Sequence, residues 1–189
     1  MEIAIVAFDD FTDIDVFLPW DLFNRVKHPG WKVKIYGTKE CHFSVTGLTV
    51  PIHSEIDDLN NVDAVLFASG PGTRKLYNDE EYLKRLNLNP SAQLVGSMCS
   101  GALILGALGL LNGKTATTYP TAKKELEQFN VNVVEEPFVV EGNIATAAGC
   151  LAAQDLVGWF IEKLISKNVR DAVLNSIQPV GEGLSLTNK

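Results

Sequence analysis

The sequence has 189 residues, of which 46% are hydrophobic and 21% are charged, and its formal net charge is −7 at pH 7. This length and composition predict one ordered globular domain spanning residues 1–189 and exclude an intrinsically disordered chain. The negative charge, with no Lys/Arg stripe interleaved with aromatic residues, argues against a nucleic-acid partner.

Strand-like and helical segments alternate along the chain, which is typical of an α/β fold with a mostly parallel sheet. Predicted strands are Glu2 to Ala7, Trp31 to Tyr36, Ala64 to Ala68, Gln93 to Met98, Thr115 to Thr118, Val131 to Glu136, Phe138 to Val140 and Ile144 to Ala147. Predicted helices are Asp15 to Val26, Asp79 to Leu88, Ser100 to Leu111, Thr121 to Phe129 and Leu151 to Ile165.

Two of these assignments carry a specific expectation about where an element begins or ends. Proline is tolerated best in a first helical turn, so Pro19 indicates that the first helix begins near Leu18. The stretch 179–189 carries two glycines and polar residues and is predicted to be a loose terminus.

The cysteines and the apolar segments bear on the compartment. Three cysteines leave an odd thiol under any pairing and lack the spacing of metal ligands, so we expect no metal and a reducing cytoplasm. The longest apolar-rich segment, Gly101 to Leu111, is shorter than the roughly 20 residues of a membrane span. The first residues enter a strand directly and do not resemble a secretory signal. We therefore expect a cytoplasmic protein with no membrane partner.

One cysteine lies where a predicted buried strand ends and an apolar helix begins. This position places the Cys99 thiol in a strand-to-helix elbow at the carboxyl edge of the sheet, where open α/β sheets bind ligands. The positive end of the helix dipole and unpaired N–H groups there predict a lowered thiol pKa. Although cysteines are more often small buried hydrophobes, this placement favours a reactive thiol.

The other two cysteines are interpreted as nonfunctional. Cys150 follows Ala147-Ala148-Gly149 at a second strand-to-helix turn, but the sequence indicates no separate acid or oxyanion donor beside it. Cys41 lies in a polar loop and is interpreted as incidental.

Three segments of the chain resemble the ThiJ/PfpI superfamily, which is related to the class I glutamine amidotransferases. They are the elbow 96–102, the glycine-containing turn 68–74 and the segment 13–19 after the first strand. The resemblance covers roughly Glu2 to Ile177 and is closest to the isonitrile hydratase branch. It implies a flavodoxin-like three-layer sandwich with helices on both sheet faces, a cysteine nucleophile elbow and a homodimer.

The matching positions imply roles for individual residues. Cys99 would be the nucleophile, and Asp15 the acid whose protonated carboxyl contacts its sulfur. The backbone N–H groups of Gly70 and Ser100 would be oxyanion-type donors, and the Ser100 hydroxyl would position the substrate. The residues themselves leave alternatives open, because Asp15 and Ser100 are also ordinary helix caps and Asp13 competes with Asp15 for either role.

The chain departs from the family pattern at two places. Many relatives have Pro-Gly-Gly where this chain has Ala68-Ser69-Gly70, followed here by Pro71, which has no N–H to donate. Protease-like and some deglycase-like relatives carry a histidine where this chain has Thr117-Thr118-Tyr119-Pro120. A Cys/His protease mechanism therefore lacks its general base. Tyr119 is either a pocket residue that donates a hydrogen bond or an ordinary aromatic at a strand end.

The resemblance implies a cofactor-free, cysteine-dependent hydratase or hydrolase acting on a small-molecule electrophile. In the hydratase branch the thiolate attacks the terminal carbon of an isocyanide, and water then releases an N-substituted formamide. One alternative is a glyoxalase or deglycase-like enzyme acting on reactive aldehydes. The missing histidine and the use of Asp rather than Glu count against this alternative. The other alternative is a noncatalytic redox-sensing or ligand-sensing stress protein.

Overall fold

A computed structural model describes residues 1–184, in which a seven-stranded sheet carries the fold. The strands of this sheet are β1 (Glu2–Val6), β2 (Lys32–Gly37), β5 (Ser54–Glu55), β6 (Ala64–Phe67), β7 (Leu94–Met98), β10 (Phe138–Glu141) and β11 (Ile144–Ala147). Their order in the sheet is β10-β11-β7-β6-β1-β2-β5, and every neighbouring pair is parallel except β10 with β11. Two small separate sheets pair β3 (Cys41–Phe43) with β4 (Thr49–Pro51) and β8 (Thr115–Ala116) with β9 (Asn132–Val133).

The helices form two groups that pack against the sheet. One group contains α1 (Asp13–Asn24), α6 (Ala153–Leu164) and α7 (Lys167–Asn175), and the other contains α2 (Thr73–Leu76), α4 (Ala102–Ala107) and α5 (Lys123–Glu127). Helix α3 (Glu80–Arg85) begins at Asp79, whose carboxylate accepts two N–H bonds from its first turn. Short 3-10 turns lie at Ile56–Asn61, Cys99–Gly101, Pro120–Ala122 and Cys150–Ala152. No helix within residues 1–184 is long and apolar enough to cross a membrane.

The core lies where the central strands meet the helices. All residues of β6 and β7 are buried, which explains why their sequences are almost continuously apolar. Gly96 in β7 allows α6 to approach the sheet closely, because a Cβ there would lie 2.7 Å from the Phe160 ring. The predicted α/β fold with a mostly parallel sheet is therefore confirmed.

Several element boundaries differ from the sequence prediction. The first helix begins at Asp13 and contains Pro19, so the predicted start near Leu18 is wrong. Burial of Val16, Leu22 and Phe23 on this helix outweighs the one backbone hydrogen bond that the proline lacks.

Other elements also differ from the sequence prediction. Helix α7 and the β3–β4 hairpin were not predicted, and the strand expected over 131–136 is reduced to β9. Of the predicted loose terminus, residues 179–184 contain a turn closed by a hydrogen bond from Gly181 to Leu184, and residues 185–189 lie outside the described part of the chain.

A buried histidine fastens the β3–β4 hairpin to the loop that follows β1. His42 is 2% exposed; its Nδ1 lies 2.9 Å from Oδ1 of Asp9, and its Nε2 accepts the Thr38 backbone N–H at 3.2 Å. An acceptor at Nε2 means that the ring is neutral with its proton on Nδ1. Burial, which outweighs the neighbouring Asp9 carboxylate, lowers the pKa of His42. Backbone hydrogen bonds from Asp10 to Phe43 and from Val45 to Phe11 complete the attachment.

Because the pKa of His42 is lower in the folded protein than in the unfolded chain, the unfolded chain takes up this proton first as the pH falls. The free energy of unfolding should therefore decrease as the pH falls below about 6.5, the ordinary histidine pKa. Urea unfolding at several pH values between 8 and 5 tests this. His42→Gln should cost roughly 1–3 kcal/mol at pH 8 by leaving buried groups unpaired, and should flatten the pH dependence. His28→Gln, at an exposed position, is the control; an equally steep pH dependence in His42→Gln would contradict the assignment.

Candidate active site

Cys99 occupies the strand-to-helix elbow that the sequence predicts. β7 ends at Met98, and the chain turns at once into the 3-10 turn that precedes α4. The φ of Cys99 is +45°, a conformation that side-chain-bearing residues rarely adopt and that is common at functional sites. The Thr118 hydroxyl donates to the Cys99 carbonyl at 2.8 Å, and a Cβ on Gly101 would lie 2.5 Å from the Ala68 carbonyl oxygen. Contacts from two neighbouring segments therefore hold the elbow in its strained form.

A pocket of about 310 Å³ opens beside the elbow, a volume suited to a small molecule. Its lining includes all five residues predicted from the sequence: Asp15, Gly70, Cys99, Ser100 and Tyr119. The other lining residues are Thr12, Ser69, Pro71, Arg74, Thr121 and Cys150. Tyr119 is 47% exposed and also lines an adjoining cavity of about 500 Å³. The fold thus gathers the predicted residues into one concave site.

Asp15 is a buried acid beside the thiol and does not cap its helix. Thr12 occupies the N-cap position, while Asp15 is fully buried in the first turn of α1. Its Oδ2 accepts a hydrogen bond from the Ser69 hydroxyl, and its Oδ1 has no hydrogen-bond partner within residues 1–184. Asp13 instead accepts from the Thr46 hydroxyl at 2.9 Å and does not line the pocket. Of the two acids, Asp15 is therefore the one that lies beside the thiol.

The predicted lowering of the Cys99 pKa is wrong. Burial and the nearby Asp15 carboxylate raise the pKa of this thiol, and a hydrogen bond from the Gly149 backbone offsets only part of the effect. Helix α4 has only six residues, so its dipole does not reverse the balance. Two adjacent negative charges repel, so a carboxylate at Asp15 opposes ionisation of the Cys99 thiol.

Cys150 lies in the same cluster as Cys99 and Asp15, a position that the sequence does not indicate. One carboxylate oxygen of Asp15 and the sulfurs of Cys99 and Cys150 all lie within 4.8 Å of one another. Cys150 is half-buried, and burial together with the Asp15 carboxyl raises its pKa to about 11. The acid near Cys150 is thus the same Asp15 that lies beside Cys99, and not a separate one. The only signal in the sequence was that both cysteines follow a strand end, and the chain order does not reveal that β11 and β7 are neighbours.

The Ser100 hydroxyl bonds to the turn after β6, so its alternative role as a helix cap is not what the structure shows. Its Oγ lies 3.3 Å from the Gly70 nitrogen, which donates, and 3.0 Å from the Thr73 hydroxyl. Gly70 has a φ of +148°, and a Cβ there would collide with the Asp10 carbonyl oxygen. Because the proline follows Gly70 and does not replace it, the backbone N–H of Gly70 is present. It donates to the Ser100 hydroxyl, which lines the pocket.

None of the three histidines of the chain lines this pocket. His42 is bonded to Asp9 and Thr38, and His53 stacks on Trp20 with 5.5 Å between ring centroids. His28 is exposed. The pocket is therefore lined by two thiols and a carboxyl, and by no imidazole.

A strained cysteine at the carboxyl edge of a parallel sheet, beside a buried carboxyl, defines a class of α/β proteins with a cysteine nucleophile elbow. The model of the DJ-1/PfpI family matches residues 1–163, and the chain belongs to this family.

Individual relatives agree with this membership. Isonitrile hydratase of Pseudomonas putida is 28% identical over 178 residues, covering 92% of this chain and 76% of that protein. A deglycase of Pyrococcus abyssi is 25% identical over 166 residues, covering 86% of this chain and 96% of that protein. The crystal structure of a ThiJ/PfpI family protein from Pseudomonas syringae has a TM-score of 0.85 at 25% identity, covering 95% of this chain and 76% of that one. The family resemblance and the flavodoxin-like fold are confirmed, whereas the homodimer and the cytoplasmic location stay predictions.

The charge of Asp15 can be tested through the reactivity of Cys99. Asp15→Asn removes the carboxylate that raises the pKa of the thiol, so the thiolate fraction at pH 7 should increase by about tenfold for each unit by which the pKa falls. The pH dependence of iodoacetamide labelling at Cys99, followed by peptide mass spectrometry, measures this. Asp13→Asn is the control and should label at the wild-type rate. Slower or unchanged labelling in Asp15→Asn would show that the carboxylate does not oppose ionisation of the thiol.

Proposed function

We propose that this protein is a cofactor-free enzyme that hydrates isocyanides to N-substituted formamides, with Cys99 as the nucleophile and Asp15 as the proton shuttle. The observation that carries the proposal is a buried carboxyl beside the elbow thiol: a carboxylate oxygen of Asp15 lies within 4.8 Å of the Cys99 sulfur, and Oδ1 of Asp15 has no hydrogen-bond partner within residues 1–184. This arrangement suits a reaction in which one group both removes and returns a proton. The isonitrile hydratase of Pseudomonas putida, 28% identical, supports the same chemistry.

The first half-reaction uses the proton that the pair shares. Asp15 accepts the Cys99 proton, and the thiolate attacks the terminal carbon of the isocyanide. Asp15 then returns the proton to that carbon, which gives a thioimidate bonded to Cys99. The raised pKa of Cys99 keeps its sulfur protonated at rest, so the thiol adds no negative charge to a pocket that Asp15 and Arg74 also line.

The second half-reaction consumes water. Asp15, again a carboxylate, takes a proton from water as the oxygen adds to the thioimidate carbon, and the proton goes to nitrogen. Collapse of the adduct breaks the C–S bond, and the hydroxyl proton passes through Asp15 to the departing sulfur, which restores the Cys99 thiol and releases the formamide. The backbone N–H groups of Gly70 and Ser100 are the proposed donors to the developing oxygen charge, because both residues lie on the pocket wall. The Gly70 N–H donates to the Ser100 hydroxyl at rest and would exchange that partner for the oxygen of the adduct.

The first test compares formamide production from a simple aryl isocyanide by the wild-type protein and by Cys99→Ser. The serine variant should lose at least about 10³-fold in kcat, because it lacks the thiolate nucleophile. Asp15→Asn should lose about 10²–10⁴-fold in kcat, the range of a general acid–base contribution, even though its thiol becomes more reactive toward iodoacetamide.

Cys41→Ser is the matched control, because Cys41 lies on the hairpin strand β3 and does not line the pocket. It should retain wild-type turnover. Formamide production by Cys99→Ser at the wild-type rate would overturn the proposed mechanism.

Tyr119 is proposed to bound the space for the substituent of the isocyanide, because it lines both the site pocket and the adjoining cavity. Tyr119→Ala should raise KM for an aryl isocyanide by about tenfold through lost apolar contact, and change KM for methyl isocyanide little. Tyr119→Phe separates the ring from the hydroxyl and should behave as the wild type does. An equal effect of Tyr119→Ala on both substrates would place the residue outside the substituent space.

Deglycase-like or glyoxalase-like chemistry on a reactive aldehyde is the second candidate function. The Pyrococcus abyssi deglycase, 25% identical over most of both chains, is the observation in its favour. The lack of a histidine at the pocket counts against it. Assays of the same variants with methylglyoxal separate the two reactions. Cys99-dependent consumption of methylglyoxal without formamide production would favour the aldehyde reaction.

A further inference from the structure

Cys150 is a second thiol in the pocket that the hydration reaction does not use. Its sulfur lies within 4.8 Å of the Cys99 sulfur and of a carboxylate oxygen of Asp15. The parallel pairing of β7 with β11, in which Met98 lies opposite Ala147, brings the two strand ends together. The two sulfurs are therefore neighbours because of the central sheet, and not because of a surface loop.

The surroundings of the two thiols differ in a way that suits disulfide formation. Cys99 is buried and fixed at the elbow, whereas Cys150 is half-buried at the start of a 3-10 turn. The preceding Gly149 has a φ of +88°, and a Cβ built on it would meet nothing within 4 Å. Cys150 also borders a second surface cavity, so it has room to rotate. Closing the gap between the sulfurs to the roughly 2.05 Å of a disulfide bond needs movement mainly on the Cys150 side.

We propose that Cys150 is the resolving cysteine of a dithiol that reduces small hydroperoxides, with Cys99 as the thiol that the peroxide oxidises. In the first step the Cys99 sulfur attacks the outer oxygen of the hydroperoxide, the O–O bond breaks, and the products are a sulfenic acid on Cys99 and an alcohol, or water when the oxidant is hydrogen peroxide. In the second step the Cys150 sulfur attacks the Cys99 sulfur, and the sulfenic oxygen leaves as water. The two thiols together give up two electrons and two protons, which the hydroperoxide consumes.

Asp15 has a defined part in this sequence. It accepts the proton of the attacking Cys99 thiol and passes it to the departing oxygen, because one of its oxygens lies within 4.8 Å of both sulfurs. An external thiol would later restore both cysteines by exchange. Formation of the disulfide removes the nucleophile reversibly. It also prevents further oxidation of Cys99 to the sulfinic acid, which ordinary thiols do not reduce. The inference requires only the two thiols, so it is independent of which electrophile the enzyme hydrates.

The experiment uses the Cys41→Ser protein, in which Cys99 and Cys150 are the remaining thiols. After treatment with hydrogen peroxide, nonreducing peptide mass spectrometry should find the Cys99 and Cys150 peptides joined, with the loss of two hydrogen atoms. Dithiothreitol should restore iodoacetamide labelling at both positions. Neither readout depends on catalytic turnover, so failure here is distinguishable from failure of the proposed hydration.

The matched comparison adds Cys150→Ser to the same protein. Without the second thiol, Cys99 should be oxidised to the sulfinic acid, a gain of two oxygen atoms. Its loss of iodoacetamide labelling, which dithiothreitol does not restore, should be at least about tenfold faster than in the Cys41→Ser protein. Accumulation of sulfinic Cys99 at the same rate in both proteins, with Cys150 still open to labelling, would overturn the proposal.

Discussion

The close backbone contact between the turn after β6 and the loop before α1 is the constraint on which the site depends. The Thr12 N–H donates to the Ser69 carbonyl at 2.7 Å. Side chains at Gly70 and Gly72 would collide with the carbonyl oxygens of Asp10 and Asp9. Because these glycines let the segments touch, the Ser69 hydroxyl reaches Asp15, and Asp15 in turn reaches the elbow thiol.

The electrostatics of the pocket follow from this packing. Burial and one carboxylate act together on the Cys99 sulfur, and both raise the pKa of its thiol. The Cys150 sulfur lies within 4.8 Å of the Cys99 sulfur and of a carboxylate oxygen of Asp15, so the same packing places two thiols beside one buried acid.

The sequence predicts the parts of the fold that local patterns encode. The central strands are apolar and bounded by polar turns, and the elbow follows directly from a strand, a cysteine and a small-residue helix. The position of Cys150 beside Asp15 depends on strand order, which chain order does not specify. The sign of the Cys99 pKa shift depends on burial and on a contact with distant Asp15, so a helix-dipole estimate alone gave the wrong direction. Pro19 lies inside α1 because core burial outweighs its local cost.

The bond from Thr118 to the Cys99 carbonyl has a consequence for how reactivity in this protein can diverge. Thr118 is buried and fixes the backbone of the elbow from behind, through its carbonyl rather than its sulfur. Thr118 also lines the adjoining cavity of about 500 Å³, so an exchange at this position changes the backbone support of the elbow and the wall of that cavity together. The conformation of the cysteine and the shape of the neighbouring cavity are therefore coupled through a single side chain.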